Sequence, residues 1–328
     1  MAKYITSKIK PPESYCMNLV SYILCVRNGE KTLPQTLQSL ISQKGINLEI
    51  IAVDDGSVDS SLNILKQFGK RDNRIKIIRQ SAMGLAAARN NGIKKAAGNY
   101  IASASQDDIY LPDKTVNQIE YMRRNNLDFC FTEVDIIDKS GKKVIHPSRK
   151  VYNSKLFPWP FIIFQVILFM DVCSPTFLCE RKCYKRLKWN PGFILFSDKQ
   201  LWVKMFLSFK GGKVPEILLL RRIKDKDKIY HQRFPLKFLY LEHRVAVLTA
   251  VLHKILPQQL IPGFNDFLKL VKACLNLEKN QNDMDAFRLL ADIYKRQGLQ
   301  YQNKYFLNII KSQRSNPLMI SLKNSYCN

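Results

Sequence analysis

The sequence predicts an α/β fold built on a parallel, doubly wound sheet. Two patterns carry the expectation: four apolar, β-rich runs alternate with helix-period segments over residues 18–105, and polar residues follow the runs. Composition agrees, because 328 residues that are 46% hydrophobic and 24% charged can bury one large core or two modest ones and do not describe a disordered chain.

The first apolar run is "NLVSYILCV", residues 18–26, and the segment after it places Leu33, Leu37, Leu40 and Ile41 at helical spacing. Residues 48–53 repeat the plan as a second strand, followed by a polar turn through Asp59 and a helix carrying Leu62, Leu65 and Phe68. "IKIIRQ" is the third strand, the alanines of "SAMGLAAARNNGIKKAAG" favour a third helix, and "NYIASAS" is the fourth strand. From Lys139 the pattern loosens. "DKSGKKV" reads as a hairpin turn, and the aromatic run "LFPWPFIIFQVILFM" most simply packs a core, although such rings also stack on sugars and nucleobases. "SPTFLCERKCYKRL" reads as a strand entering a basic helix, and "FSDKQLWVKMFLSFKGGK" as a helix with Leu201, Met205 and Phe206 on one face.

After Lys228 mostly helical segments are broken by Pro235, Pro257 and Pro262. The chain therefore divides into an N-terminal extension (1–17), an α/β domain (18–228, with halves 18–138 and 139–228) and a helical C-terminal region (229–328). Within that region Ala291, Tyr294 and Gly298 are spaced like one tetratricopeptide unit. A single unit cannot bury its own face, so an appended helical hairpin is expected, with a surface for a protein partner.

The net charge of +25 is lopsided: residues 1–138 carry +3, residues 139–228 carry +14, and the remainder +8. Such a field favours an anionic partner, whether nucleic acid, a phospholipid surface or a phosphorylated substrate. Lysines that merely solvate the surface would give the same count. No recognisable DNA or RNA motif accompanies the charge, so nucleic acid is not expected. The longest apolar run, residues 156–170, contains two prolines and a glutamine and is shorter than the ~20 residues of a bilayer-spanning helix. The N-terminal "MAKYITSKIKPPESYC" has neither an apolar core nor a small-residue cleavage site. A cytoplasmic chain is expected, peripheral on the inner face of the cytoplasmic membrane. Its eight cysteines then lie in a reducing compartment; Cys173, Cys179 and Cys183 match no C-x2-C zinc spacing, and packed thiols are expected.

In parallel sheets the ligand crevice lies at the carboxyl ends of the strands. Strand one delivers Arg27 and Asn28 there, strand two Asp54, Asp55 and Asp59, and strand four Gln106, Asp107 and Asp108. So many carboxylates converge at little cost only if a cation compensates them.

These segments, in this order, resemble the inverting family-two glycosyltransferases of the GT-A fold over roughly residues 18–228. "YILCVRNGE" is similar to that family's first strand and loop, "IIAVDDGSVDSS" to its second, "GLAAARNNGIKKAAGNYI" to its donor-side helix, "SASQDDIYLPDK" to its metal-binding turn, and "FSDKQLWVKM" to the segment with the catalytic base. The resemblance implies a Rossmann-like, mixed but mainly parallel sheet flanked by helices. It also implies transfer of a sugar from a nucleotide-diphosphate donor, UDP- or dTDP-linked, to a glycan or lipid-linked acceptor in bacterial cell-surface polysaccharide biosynthesis.

By the same resemblance Asp107 is a ligand of a divalent cation, Mn2+ or Mg2+, while Asp108 supports it or contacts the donor; the local alternative for the pair is a solvated turn or a helix N-cap ahead of "LPDK". Asp55 would hydrogen-bond the nucleobase and Asp54 contact the nucleotide or brace the loop, while an Asx-type turn is the local alternative. Arg27 would lie beside the base, Gln106 near the ribose or a metal-bound water, and Arg89 against donor groups. Asp198 would be the base that takes the acceptor's proton, or a simple helix cap. Arg221 or Arg222, in a loop after the strand "LLLRR", would serve the diphosphate, or form an exposed basic run. Three places depart from the family pattern: Ser105 replaces the first acid of Asp-x-Asp, Ser197 the glutamate before Asp198, and Ile223 and Lys224 stand where many relatives carry a histidine after the arginine. The changes at Ser105 and Ser197 leave a non-catalytic nucleotide-sugar binder or scaffold as the alternative.

Overall fold

The computed structural model describes residues 18–156, 172–189 and 197–223. Its first half alternates strictly: β1 (Leu19–Val26), α1 (Leu33–Ile41), β2 (Asn47–Asp55), α2 (Ser61–Arg71), β3 (Ile75–Gln80), α3 (Leu85–Lys95) and β4 (Tyr100–Ser105). The second half holds a short β5 (Ile109–Tyr110), α4 (Lys114–Arg124), β6 (Phe129–Ile137), α5 (Ser148–Tyr152), a 3-10 turn (Ser174–Thr176), β7 (Leu178–Glu180), α6 (Arg181–Arg186), α7 (Ser197–Ser208) and β8 (Gly211–Arg222).

All eight strands form one sheet in the order β3-β2-β1-β4-β7-β6-β8-β5. The pairs β1–β2, β1–β4 and β2–β3 are parallel, as the alternation of strand and helix requires. The sheet becomes mixed at β7, which runs antiparallel to both β4 and β6, and at β5, antiparallel to β8. β1 lies between two parallel neighbours, and its residues from Val20 to Val26 are buried, which is why it reads as a continuous apolar run and not as an alternating one.

The helices cover this sheet through the residues their spacing predicts. In α1, Leu33, Leu37 and Leu40 are buried and Pro34 stands in the first turn, where a missing N–H costs nothing. α3 uses small residues instead. A Cβ on Gly92 would lie 2.6 Å from Cγ2 of Ile23 and 3.1 Å from Cγ2 of Val53, so glycine lets this helix lie close against β1 and β2.

Local sequence gave no expectation for β6, yet it pairs with β8 along its whole length, with an irregularity at Thr132–Val134. Around it Phe129, Phe131, Phe177, Trp202 and Phe206 pack with ring centroids 4.5–6.1 Å apart. The turn expected at "DKSGKKV" is present: Asp138 N donates to Lys142 O at 2.8 Å, and Gly141 takes a φ of +91°. Cys130, Cys173, Cys179 and Cys183 are buried and in no disulfide, as expected of packing residues.

One expectation is corrected. Arg221 and Arg222 do not lie in a loop after the strand; they are its last two residues, paired with Ile136 and Ile137. No helix among the described residues is long and apolar enough to cross a membrane. The expectations for residues 1–17, for the aromatic run beyond Leu156 and for residues 229–328 lie outside the described residues.

Candidate active site

The carboxyl edge of the sheet is held together by its own loops. Val26 pairs with Asp54 in the last β1–β2 register, so the chain segments leaving the two strands start side by side. Asn28 adopts a left-handed φ of 52°, its N–H reaches Ser57 Oγ at 3.1 Å and its Oδ1 accepts from Val58 N at 2.9 Å. Gly29 N donates to Ser61 Oγ (2.8 Å), Glu30 N to Asp59 Oδ2 (3.1 Å), and Ser60 N to Glu30 Oε2 (3.0 Å). Asp59, one of the converging acids, is thereby spent on joining the loops; burial raises its carboxyl, but bonds from Ser61 and from Glu30 N outweigh that and hold it below its ordinary value.

The two acids that end β2 differ in kind. Asp55 is buried with both oxygens bonded: Oδ1 accepts from Gln80 Nε2 at 2.7 Å and Met83 N at 2.8 Å, and Oδ2 from Gly84 N at 2.9 Å. It fixes the turn that enters α3. Gly56, at φ +70°, permits the close approach, since a Cβ there would sit 2.9 Å from Ala82 N. Asp54 is fully buried, with Oδ1 accepting from Ser57 N at 3.3 Å; Oδ2 has no hydrogen-bond partner, and the largely exposed Arg79 guanidinium stands 3.9 Å away.

Gln106 splints the first loop to the fourth strand. Its Oε1 accepts from Arg27 N at 2.7 Å and its Nε2 donates to Arg27 O at 3.0 Å, which prolongs the β1–β4 pairing beyond the strand ends. Arg27 itself is exposed. Thr32 Oγ1 holds the Gln106 carbonyl at 3.0 Å, and a Cβ on Gly29 would strike the Gln106 amide at 2.6 Å.

Asp107 and Asp108 are both buried and are locked in place by Arg222 at the end of β8. The Arg222 N–H reaches Asp108 Oδ1 at 3.0 Å and its Nε reaches the Asp107 carbonyl at 3.0 Å. Its Nη1 donates to the carbonyls of Asp138 and Lys139, each at 2.9 Å, and Nη2 to Gln35 Oε1 at 2.5 Å. This guanidinium is committed to shaping the turn. Burial pushes the Asp108 carboxyl up to about 6, against the Arg222 N–H bond and the charges of Arg221 and Arg222. Arg221 lies with its guanidinium carbon 4.3 Å over the Tyr152 ring. Ser105, where an acid was expected, donates its N–H to Tyr110 Oη at 2.8 Å.

Asp198 stands in the first turn of α7, half-buried, and its Oδ2 accepts from Ser174 Oγ at 2.9 Å. Arg89 is buried on α3 with its guanidinium carbon 3.9 Å over Trp189, and its Nε and Nη1 have no hydrogen-bond partner. Asn90 clamps that tryptophan: Nδ2 donates to Trp189 O at 2.8 Å, and Oδ1 accepts from Trp189 N at 3.1 Å.

Direct bonds thus join Gln106 to the Arg27 backbone, and Arg222 to Asp107 and Asp108; Asp54 and Asp55 end the neighbouring strand, while Arg89 stacks on Trp189 and Arg221 on Tyr152. Sequence reading missed Gln35, Ser174, Tyr152 and Trp189. Ser174 precedes a proline, a turn signal that marks a loop without revealing its partner.

Among the described residues no group of three or more His, Cys, Asp or Glu side chains is arranged to hold an ion. Two adjacent carboxylates nevertheless suit a hard, oxygen-seeking cation that takes its other ligands from substrate and water. A carboxyl driven up to about 6 by burial is also one whose charged form a cation would favour.

A mixed α/β sheet of this order, flanked by helices and with acids along its carboxyl edge, is a GT-A fold. The chain matches Glycosyl transferase family 2 over residues 21–187 and belongs to that family. It is 30% identical over 204 residues to an uncharacterized glycosyltransferase of Rickettsia conorii, covering 62% of this chain and 33% of that protein. It is 34% identical over 141 residues to WfgD of Escherichia coli, a UDP-Glc:alpha-D-GlcNAc-diphosphoundecaprenol beta-1,3-glucosyltransferase, covering 42% of this chain and 55% of that protein. The chain spans about a third of the length of the Rickettsia relatives it matches. Among solved structures, S. aureus TarS in complex with UDP-GlcNAc superposes with a TM-score of 0.61 at 15% identity, covering 85% of this chain and 81% of that one; this likeness shows the shared fold.

Proposed function

We propose that the protein transfers a sugar with inversion from a UDP- or dTDP-sugar to a glycan or lipid-linked acceptor, in bacterial cell-surface polysaccharide biosynthesis. The observation that carries the reading is the turn at Asp107–Asp108, placed at the carboxyl edge of the sheet and locked there by Arg222. The name of the E. coli relative describes a UDP-glucose donor and a diphosphoundecaprenol-linked acceptor, which supports the donor and acceptor classes.

In this reading residues 18–138 bind the donor and residues 139–228 meet the acceptor. Asp54 and Asp55 frame the nucleobase end, with Asp55 shaping the loop, and the exposed Arg27 side chain lies beside the base. Gln106 holds the first loop against the ribose side of the crevice. Arg89, with two donors unspent, and Arg221 are the cations assigned to donor groups, while Arg222 keeps the metal turn in shape. Asp107 and Asp108 would hold Mn2+ or Mg2+, which when bound neutralises charge on the departing diphosphate. Asp198 takes the proton from the acceptor hydroxyl as that oxygen attacks the anomeric carbon from the face opposite the leaving group. The +14 of residues 139–228 suits an acceptor that carries phosphate or sits in an anionic membrane, with the protein cytoplasmic and peripheral on its inner face.

The test is transfer and donor binding measured together. Asp198→Asn should abolish transfer and leave donor affinity by calorimetry nearly unchanged, because a base acts on the acceptor. Near-normal turnover in that variant would sink the assignment. Donor binding by the unmodified protein without turnover on any acceptor would favour the non-catalytic binder that Ser105 and Ser197 keep open.

A further inference from the structure

We infer that Ser174 is a positioning residue for the Asp198 carboxylate, an inference that rests on Asp198 being the base. The Ser174 hydroxyl donates to Asp198 Oδ2 at 2.9 Å and is itself buried, with 7% of its surface exposed. Its own place is fixed from several sides. The 3-10 turn is closed by bonds from Thr176 N (2.8 Å) and Thr176 Oγ1 (2.7 Å) to Cys173 O, and from Phe177 N to Ser174 O (3.1 Å). α4 grips it through Gln118 Nε2, which donates to the Thr176 carbonyl at 2.8 Å, and β4 through Ser103 N, which donates to Phe177 O at 3.1 Å. The antiparallel register of β4 and β7 pairs Tyr100 with Glu180 and Ala102 with Leu178. Continued, it carries the turn alongside the end of β4, where Ser105 and Gln106 begin the metal-binding turn. Ser174 therefore ties the carboxylate on α7 to the strand that carries Asp107.

The chemistry favours this partner. A carboxylate on a free side chain samples several rotamers, and a base that must face one hydroxyl loses rate in all but one of them. One bond to Oδ2 removes that freedom and leaves Oδ1 for the acceptor. The bond comes from a neutral hydroxyl. An arginine or lysine in its place would hold the carboxylate more strongly and cost it far more of its basicity.

The experiment compares Ser174→Ala, Ser174→Thr and Asp198→Asn in the full chain, with melting temperature, donor affinity, kcat and donor KM measured on each. Ser174→Ala should lower kcat about tenfold, the order carried by a hydrogen bond to a charged group, with donor KM unchanged. Ser174→Thr, which keeps the hydroxyl, should recover most of the rate. An inactive Asp198→Asn beside a Ser174→Ala with wild-type kcat overturns the positioning role and leaves the function standing. A kcat loss that threonine does not rescue also overturns it, since that outcome marks a packing defect. An active Asp198→Asn instead overturns the function from which the inference starts.

Discussion

At the scale of single residues the two acid pairs behave differently from the way adjacent aspartates look on paper. Of Asp54 and Asp55, the second has both oxygens bonded to the turn before α3, and the first holds a buried oxygen with only a distant arginine beside it. Nothing in "VDDGS" separates these fates, because the partners come from Gln80, Met83 and Gly84. For Asp107 it is the backbone carbonyl that anchors Arg222, a contact that a change of side chain leaves in place. Asp107→Ala should therefore keep the fold while losing the manganese-dependent part of donor affinity, about tenfold or more by calorimetry. Equal donor affinity with and without manganese in the unmodified protein would contradict the cation reading. The Ser105 substitution is also clearer at this scale. The Ser105 N–H fixes the turn by bonding Tyr110 Oη, a duty that any residue there but proline could perform.

At the scale of elements, periodicity disclosed what faces a helix or strand across one interface and failed where an element is buried by distant chain. α1 and the four parallel strands were legible because their apolar positions recur with the helical or strand period. β6 was not, since "FCFTEVDII" becomes a central strand only when β7 and β8 arrive from 41 or more residues later to flank it. The arginines were misplaced for a similar reason: a charged pair reads as a loop, but Arg222 is stabilised inside the sheet edge by carbonyls of Asp107, Asp138 and Lys139. α3 offers the sharpest element-scale test. Gly92→Ala gains up to about 1 kcal/mol of helix propensity, yet its methyl meets the branched Ile23 side chain at 2.6 Å. Overpacking of that kind costs about 1–3 kcal/mol, so chemical denaturation should show net destabilisation. A more stable variant would mean that α3 can lift from β1 and β2 without penalty.

At the scale of the whole molecule, one buried cation links stability to pH. Lys114 is fully buried, its Nζ donates to Gln118 Oε1 at 2.7 Å, and burial brings it from an ordinary 10.5 to about 8. Between those values the unfolded chain binds more protons than the folded one, so this lysine adds stability as pH rises from about 8 to 10.5. The fall corresponds to at most ~3 kcal/mol at about 1.4 kcal/mol per tenfold. The buried thiols of Cys25 and Cys130, raised from 9.0 to about 12, act in the opposite sense above pH 9. Comparing the unmodified protein with Lys114→Met isolates the lysine: their difference in unfolding free energy should shift toward the unmodified protein between pH 8 and 10.5. A constant difference across that range would show that Lys114 is not desolvated as described.

The sequence by itself determined the α/β class, the order of the first four strands and helices, the family, and which acids reach the carboxyl edge. The class, the order and the acids follow from short-range periodicity and from residues that close a strand; the family follows from the resemblance of the ordered motifs. Only the tertiary structure decided that Asp55, Asp59, Gln106 and Arg222 are bonded within the protein's own scaffold, that Arg89 lies under Trp189, and that Ser174 reaches Asp198. A side chain's partner is set by which distant segments fold beside it, and a buried polar group is stable only when one of them supplies its hydrogen bond.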